Sequence, residues 1–171
     1  ANASIVAKGD ARLKFDELRT VPFVDEDDTN CRMVVSRLAE VQFEDPNTGI
    51  VLSTLNVPYG SSLYYKNGDI VKQGDLIAKW DPFNAVIVSE YAGRLKFKDV
   101  KEGATFRAET DEATGMTERI ITDSKDRTLV PTVDVLNEKD EVLGTYNLPV
   151  GGHLNVEDGQ TITTGTTLVK I

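Results

Sequence analysis

Short apolar runs separated by glycine-containing turns follow one another along the whole chain. A turn recurs every eight to twelve residues, and the runs include CRMVVSRL, GIVLSTLNV, AVIVSEYAGRLKF and PTVDVLN. Apolar and polar residues alternate in RLKF and TVDVL, as they do in a strand with one buried face. The one weakly helical window, EDPNTG, is too short to form a stable helix. The pattern predicts an all-β fold.

One pattern of residues occurs twice in the chain. VPYGSSLYYKNGDIVKQGDLIAKW (57–80) matches LPVGGHLNVEDGQTITTGTTLVKI (148–171) at a shift of 91 positions, and RLKFDEL (12–18) matches RLKFKDV (94–100) at a shift of 82. The second copy therefore carries about nine more residues in its middle. Two copies are too few for a solenoid. The repeat predicts that one β module has been duplicated.

The two predicted modules, residues 1–82 and residues 83–171, end on the same turn pattern, N/D-G-x-x-V/I-x-x-G. The first glycine is expected to adopt a positive φ, which a tight turn needs and glycine tolerates. The apolar residue three positions later is expected to point into the core, and the second glycine to form the next turn. This spacing is typical of a compact, barrel-like β fold.

The composition restricts the class of protein. The 171 residues include 28 acidic and 19 basic side chains, for a net charge of −9. This charge opposes direct nucleic-acid binding, which depends largely on Lys and Arg. No apolar run is long enough for a membrane span, and no signal segment opens the chain. The single Cys31 cannot form an internal disulfide, so a cytoplasmic origin is expected, and the start at Ala1 without Met suggests a piece of a longer polypeptide.

The sequence contains no recognisable set of catalytic, cofactor-binding or metal-binding residues. His153, the only histidine, is expected to be an ordinary loop residue, and Cys31 a small buried one. The acidic run DEDDTN (25–30) lacks the spacing of a calcium-binding loop and is expected to be a solvated turn. Trp80 is expected to pack in the first core or at the boundary between the modules. We therefore predict that none of these residues forms an active site or a metal site.

The turn pattern and the preceding run YAGRLKF resemble the barrel-sandwich hybrid fold of biotinyl and lipoyl carrier domains. Such domains carry a modified lysine on an exposed hairpin, whereas the corresponding hairpin here, WDPFNAV, contains no lysine. A carrier role therefore stays open, but the hairpin lacks the lysine that such a role requires. A different β-sandwich binding module would need a signal segment in its parent and an aromatic platform, and a hydrolase would need a site built from carboxylates alone.

A second resemblance covers nearly the whole chain. VPYGSSLYYKNGDIVKQGDLIAKWDP, VSEYAGRLKF and TDEATGM together resemble the large insertion in the trigger loop of the β′ subunit of bacterial DNA-directed RNA polymerase. The first 50 residues match only loosely. That insertion consists of two sandwich-barrel hybrid modules, and the resemblance implies the same fold for both modules of this chain.

The resemblance also implies a function. The trigger loop folds over the incoming nucleotide, and such an insertion modulates its movement, and with it elongation, pausing and transcript cleavage. The implied partners are the trigger loop, the neighbouring β′ and β surfaces, and regulatory factors that enter the secondary channel. The fragment itself would be neither an enzyme nor a cofactor-binding protein, since the parent polymerase uses Mg²⁺ and Zn²⁺ elsewhere. An insertion must also have its ends close together, so Ala1 and Ile171 are expected within about 30 Å of each other.

Two pairs of residues are candidate partner contacts. Asp111 and Glu112 lie in TDEATG, an acidic run that matches the family and predicts an exposed turn. Tyr64 and Tyr65 are consecutive residues of a predicted strand, so at least one of the two rings is expected to face solvent.

Overall fold

The computed structural model describes residues 2–171, which form eighteen β-strands and no helix. The strands are β1 Ala3–Val6, β2 Ala11–Asp16, β3 Thr20–Val24, β4 Asn30–Val34, β5 Glu40–Glu44, β6 Val51–Asn56, β7 Ser62–Leu63, β8 Ile70–Val71, β9 Leu76–Trp80, β10 Val86–Val88, β11 Gly93–Lys98, β12 Phe106–Thr110, β13 Thr117–Ile121, β14 Thr132–Leu136, β15 Val142–Asn147, β16 His153–Leu154, β17 Thr161–Ile162 and β18 Thr167–Lys170. The predicted all-β class is confirmed. Within the described range, no helix is long and apolar enough to cross a membrane.

The chain divides into two compact units, unit 1 (Ala1–Phe83) and unit 2 (Asn84–Ile171). This division lies one residue beyond the boundary that the sequence repeat predicts. Unit 1 has two antiparallel sheets with strand orders β1-β9-β7-β4-β3 and β6-β5-β2-β8, and unit 2 has two with orders β10-β18-β16-β13-β12 and β15-β14-β11-β17. Adding nine to each strand number of unit 1 gives the strands of unit 2. The two units therefore have the same topology.

Each unit has its own hydrophobic core, to which both of its sheets contribute. The alternation in β2 buries Leu13 and leaves Arg12 and Lys14 exposed, and Leu95 of β11 takes the equivalent buried position in unit 2. Trp80 packs, partly buried, against the core of unit 1. Full burial of a side chain such as Leu13 or Leu95 favours folding by about 1.5–3 kcal/mol. Side chains that are at most 1% exposed include Leu13, Val34, Val41, Leu63, Val71 and Ile77 in unit 1, and Leu95, Ile121, Val133, Leu168 and Val169 in unit 2.

The repeated turn pattern has the backbone that the sequence predicts. Gly68 and Gly74 have φ angles of 90° and 93°, and the equivalent glycines of unit 2 have 81° and 88°. These angles are accessible to glycine without steric cost. Val71 and Ile162, each three residues after the first glycine, are 0% and 4% exposed. The predicted roles of the glycines and of the apolar residue are confirmed.

The two ends of each unit lie next to each other. In unit 1, Ala3 of β1 pairs with Trp80 of β9. In unit 2, the N–H of Ile171 donates to the carbonyl of Ala85 at 2.8 Å. The path from Ala3 to Ile171 therefore crosses one strand pair, follows residues 80–85 and crosses one backbone hydrogen bond. Neighbouring Cα atoms are about 3.8 Å apart and paired strands about 5 Å apart, so this path is at most roughly 30 Å long, whatever conformation residues 80–85 adopt. Ala1, which the sequence prediction also concerns, lies outside the described residues.

Candidate functional site

Tyr64 and Tyr65 follow the short strand β7 and are both half-buried. The hydroxyl of Tyr64 donates to Oδ2 of Asp25 at 2.6 Å. The ring of Tyr65 packs against the core of unit 1, and its carbonyl accepts a hydrogen bond from Nη2 of Arg32 at 2.7 Å. Strand alternation predicts that at least one ring faces solvent, but β7 ends at Leu63, before the two tyrosines. Both rings therefore make contacts within unit 1.

Asp25 organises the turn between β3 and β4. Its Oδ1 accepts hydrogen bonds from the N–H groups of Asp27 and Thr29, each at 2.9 Å. Asp25 is only 7% exposed. The hydrogen bond from Tyr64, followed by that from Thr29, holds the pKa of Asp25 below its ordinary value. The sequence predicts a solvated turn for residues 25–30. This is wrong for Asp25, whose carboxylate is buried because three donors replace its water.

Lys79 of β9 contacts the same turn. Its Nζ lies 2.9 Å from Oδ2 of Asp27 and 3.6 Å from Oε1 of Glu26. The hydrogen bond to Asp27 raises the pKa of Lys79 above its ordinary value. Both carboxylates are well exposed, so solvent screens these ion pairs and they contribute little to stability. Their effect is to attach the turn to a neighbouring strand.

The contact between Tyr64 and Asp25 is the more protected part of this network. Burial, and then the hydrogen bond to Asp25, raises the pKa of Tyr64 to about 12. At neutral pH the phenol therefore stays protonated and the carboxylate stays ionised. Neither group is prepared to exchange a proton near pH 7, and the arrangement positions the β3–β4 turn.

Tyr64→Phe is expected to weaken the dependence of stability on pH in acid. The folded pKa of Asp25 lies below its unfolded value, so the ionised carboxylate stabilises the fold above the unfolded pKa of about 3.9. This contribution is lost as the pH falls through the folded pKa. Without the hydroxyl of Tyr64, the pKa of Asp25 rises toward its ordinary value and the contribution shrinks. A carbon-13 NMR titration of the Asp25 carboxyl group measures the change.

Tyr65→Phe is the matched control, because it leaves the contact with Asp25 intact. Absorbance titration gives a second measurement in alkali. The folded pKa of Tyr64 is raised, so its contribution is present below its unfolded pKa of about 10 and is lost as the pH rises through about 12. Tyr64→Phe removes this late titration. An Asp25 pKa that stays the same in Tyr64→Phe would contradict the assignment.

Asp111 and Glu112 lie at the tip of the hairpin formed by β12 and β13 in unit 2. Oδ1 of Asp111 accepts a hydrogen bond from the N–H of Ala113 at 2.9 Å, and the N–H of Asp111 donates to the carbonyl of Met116 at 2.8 Å. All residues from 107 to 118 are exposed. The turn is exposed, as the sequence predicts. Asp111 also shapes the turn, so the hairpin tip presents an acidic surface on a defined backbone.

His153 and Cys31 occupy positions that differ from those expected. His153 is not in a loop. It lies in the two-residue strand β16, because its backbone pairs with β13 on one side and with β18 on the other. Its Nδ1 is 3.4 Å from Oε2 of Glu118. Cys31 is in β4 and is half-buried, and burial raises the pKa of its thiol. Across residues 2–171, no three His, Cys, Asp or Glu side chains are grouped so that they could hold a metal ion.

These observations define a class of protein: an all-β chain of two units that share one topology. The β3–β4 turn of unit 1 is held by hydrogen bonds and ion pairs, and the β12–β13 hairpin of unit 2 has an exposed acidic tip. No protein-family model matches it. It is 58% identical over 171 residues to the DNA-directed RNA polymerase subunit beta′ of Bacteroides thetaiotaomicron. It is also 48% and 44% identical, each over 169 residues, to the same subunit of Parabacteroides distasonis and Flavobacterium psychrophilum.

The three alignments cover 100%, 98% and 99% of this chain. The chain belongs to the family of bacterial DNA-directed RNA polymerase β′ subunits, of which it represents a segment. It spans 12% of the length of each of these relatives.

Proposed function

We propose that this chain is an insertion in the trigger loop of a bacterial RNA polymerase β′ subunit. In this proposal its two units are sandwich-barrel hybrid modules that modulate trigger-loop movement, and thereby elongation, pausing and transcript cleavage. The similarity to β′ subunits supports the proposal, because the whole chain aligns although it spans only 12% of their length. The resemblance of VPYGSSLYYKNGDIVKQGDLIAKWDP, VSEYAGRLKF and TDEATGM to the trigger-loop insertion supports this position in the parent chain.

The closeness of the chain ends carries the proposal. An inserted domain must leave and rejoin its host loop at nearly one place. Here β1 pairs with the end of unit 1, and Ile171 is bonded to the beginning of unit 2, so both ends return to the linker around residues 81–85. A host loop could accept the chain without its two halves separating by more than roughly 30 Å.

Contacts that differ between the open and closed trigger loop would supply the regulation. A folded insertion has to move when the loop folds over the nucleotide and when it unfolds. A contact made equally in both states shifts nothing, whereas a contact made in only one state favours that state. We therefore expect the insertion to act through surfaces of the polymerase that it touches in only one of the two states.

The partners in this proposal are the trigger loop, the neighbouring β′ and β surfaces, and factors that enter the secondary channel, in the cytoplasm. Asp111 and Glu112, at the tip of the exposed hairpin, are the candidate contact in unit 2. Tyr64 and Tyr65 could contribute only through the accessible parts of their half-buried rings. A net charge of −9 disfavours a nucleic-acid-binding role. Catalysis, with its Mg²⁺ and Zn²⁺, would belong to the rest of the parent enzyme.

Removal of residues 1–171 from the parent β′ subunit tests the proposal. The trigger-loop halves are rejoined by a short Gly-Ser linker, and nucleotide addition, pause lifetime and transcript cleavage are measured in vitro. We expect catalysis to be retained and pausing or cleavage to change by about fivefold or more, which is the usual lower range of coupling between two sites.

A matched control replaces the same residues with an unrelated all-β domain whose ends are equally close. This control keeps the bulk of the insertion and removes its specific contacts, so it should behave like the deletion. Kinetics that match the wild type in both variants would contradict the trigger-loop role. A lost response to a secondary-channel factor with otherwise normal kinetics would contradict it too, and would indicate a docking platform.

A further inference from the structure

Unit 1 has an apolar groove between β6 and the turn that follows β1. Its volume is about 140 Å³. Three of the large apolar side chains that line it, Val6, Leu52 and Leu55, are 42%, 58% and 43% exposed. Apolar side chains that are exposed together in one depression are more informative than single exposed ones. The remaining lining residues are Lys8, Gly9, Asp10, Ala11, Phe43 and Ser53.

The strand pairing identifies the equivalent place in unit 2. The N–H of Gly74 donates to the carbonyl of Ala7, and the N–H of Gly165 donates to that of Ser89, each at 2.8 Å. Ala7 and Ser89 therefore correspond, and two residues later in the chain Tyr91 of unit 2 takes the position of Gly9.

Strand pairing also identifies the position in unit 2 that corresponds to the opposite wall of the groove in unit 1. Ser53 of β6 pairs with Phe43 of β5, and Gly144 of β15 pairs with Val135 of β14. Gly144 thus takes the position of Ser53. Unit 2 has an aromatic ring and a facing glycine where unit 1 has a glycine and a facing serine.

In unit 2 the ring of Tyr91 fills this place. A Cβ atom on Gly144 would lie 2.7 Å from Cε2 and 2.9 Å from Cδ2 of Tyr91, so the ring lies directly against the glycine. The same Cβ would lie 3.7 Å from Cε2 of Tyr146. Val88 is fully buried in unit 2, whereas the equivalent Val6 in unit 1 is 42% exposed. Tyr91 is itself 38% exposed, so its ring lies in the mouth of this place, where unit 1 has no side chain on Gly9.

We propose that the groove of unit 1 binds a tyrosine or phenylalanine side chain from a segment of the parent β′ polypeptide outside these 171 residues. Unit 2 indicates the chemistry of the occupant, because an equivalent position in the same topology holds an aromatic ring. The size is suitable, since an apolar cavity of about 150 Å³ binds benzene. The charged groups of Lys8 and Asp10 beside the groove suit the hydroxyl of a tyrosine.

The occupant is assigned to the same polypeptide for a thermodynamic reason. One ring in a small open groove binds weakly as a free partner, because association costs translational and rotational freedom. A segment of the same chain avoids most of this cost, because its binding is an intramolecular step. The chain spans 12% of the length of its relatives, so such a segment is available. The inference requires membership of the β′ family and does not depend on the trigger-loop role.

Photo-crosslinking in the assembled polymerase tests the inference. A diazirine-bearing lysine analogue replaces Lys8, which is exposed beside the groove, and cross-linked peptides are identified by mass spectrometry. The expected product joins position 8 to a β′ peptide that contains Tyr or Phe. In the double variant Gly9→Tyr with Ser53→Gly, which copies unit 2, the yield should fall at least tenfold. The added side chain has room, because no atom lies within 4 Å of a Cβ on Gly9.

Gly9→Ser is the matched control and should leave the yield unchanged, because it does not fill the groove. The analogue at the exposed Lys72 should not give the same product. If the double variant fails to assemble, Leu55→Gln, an exposed change in the groove wall, provides the loss of yield instead. Absence of the product, a partner peptide without an aromatic residue or from another protein, or equal yields in the filled variants would overturn the inference.

Discussion

Leu13→Ala is expected to unfold unit 1 at a denaturant concentration at which unit 2 remains folded. Leu13 is 1% exposed, and the core that contains it consists of unit 1 residues alone. Truncation of a buried leucine lowers the free energy of unfolding by about 3–5 kcal/mol, because apolar transfer energy is lost and a cavity remains. This is a large share of the roughly 5–15 kcal/mol that stabilises a typical domain. Hydrogen exchange with mass spectrometry at intermediate denaturant follows residues 2–83 and 84–171 separately.

Leu95→Ala is the matched variant, since Leu95 takes the equivalent position in unit 2 and is 0% exposed. It should reverse the pattern, so that peptides of unit 2 lose protection first. If either variant makes both units lose protection together, the two cores do not unfold independently and the prediction is wrong.

Gly93→Ala is expected to destabilise unit 2 by about 3 kcal/mol, at the upper end of the usual cost of overpacking. A Cβ on Gly93 would lie 2.3 Å from the carbonyl oxygen of Leu136 and 3.1 Å from its carbonyl carbon. Both atoms are backbone, so no side chain can rotate away. Relief requires β11 and β14 to separate where Arg94 pairs with Leu136. Denaturant unfolding of wild type and variant measures the loss.

Ala11→Gly, the reverse change at the equivalent position of unit 1, is the control. Ala11 is buried and already carries a Cβ. Its removal should cost only about 1 kcal/mol, from added backbone freedom and one lost methyl contact. Equal costs for the two changes would show that the close approach to Leu136 does not decide the result.

The strand content and the turns could be predicted because they depend on neighbouring residues. Alternation at Leu13 and Leu95 follows from the two-residue period of a strand, and the positive φ at Gly68 and Gly74 follows from the need for a tight turn. The shift of 91 residues in the sequence aligns turns whose backbone hydrogen bonds are equivalent in the two units.

The contacts of the candidate site could not be predicted in the same way. Tyr64 and Asp25 are 39 residues apart, and no local pattern indicates that one donates to the other. The acidic run 25–30 signals a turn, but its composition alone predicts solvated carboxylates. The exposure of the hairpin tip at Asp111 could be predicted, because a polar turn at the end of a hairpin remains in solvent.

By itself, the sequence determined that this protein is all-β, that its two halves share a turn pattern, and that it resembles β′ subunits. These properties depend on residue order, which the chain carries in every conformation. Only the tertiary structure decided that Asp25 is buried, that the ends of each unit meet, and that the ring of Tyr91 lies against Gly144 in unit 2 where unit 1 has the open Gly9. These properties depend on which strands pair and which faces pack, because packing brings together side chains that are far apart in the sequence.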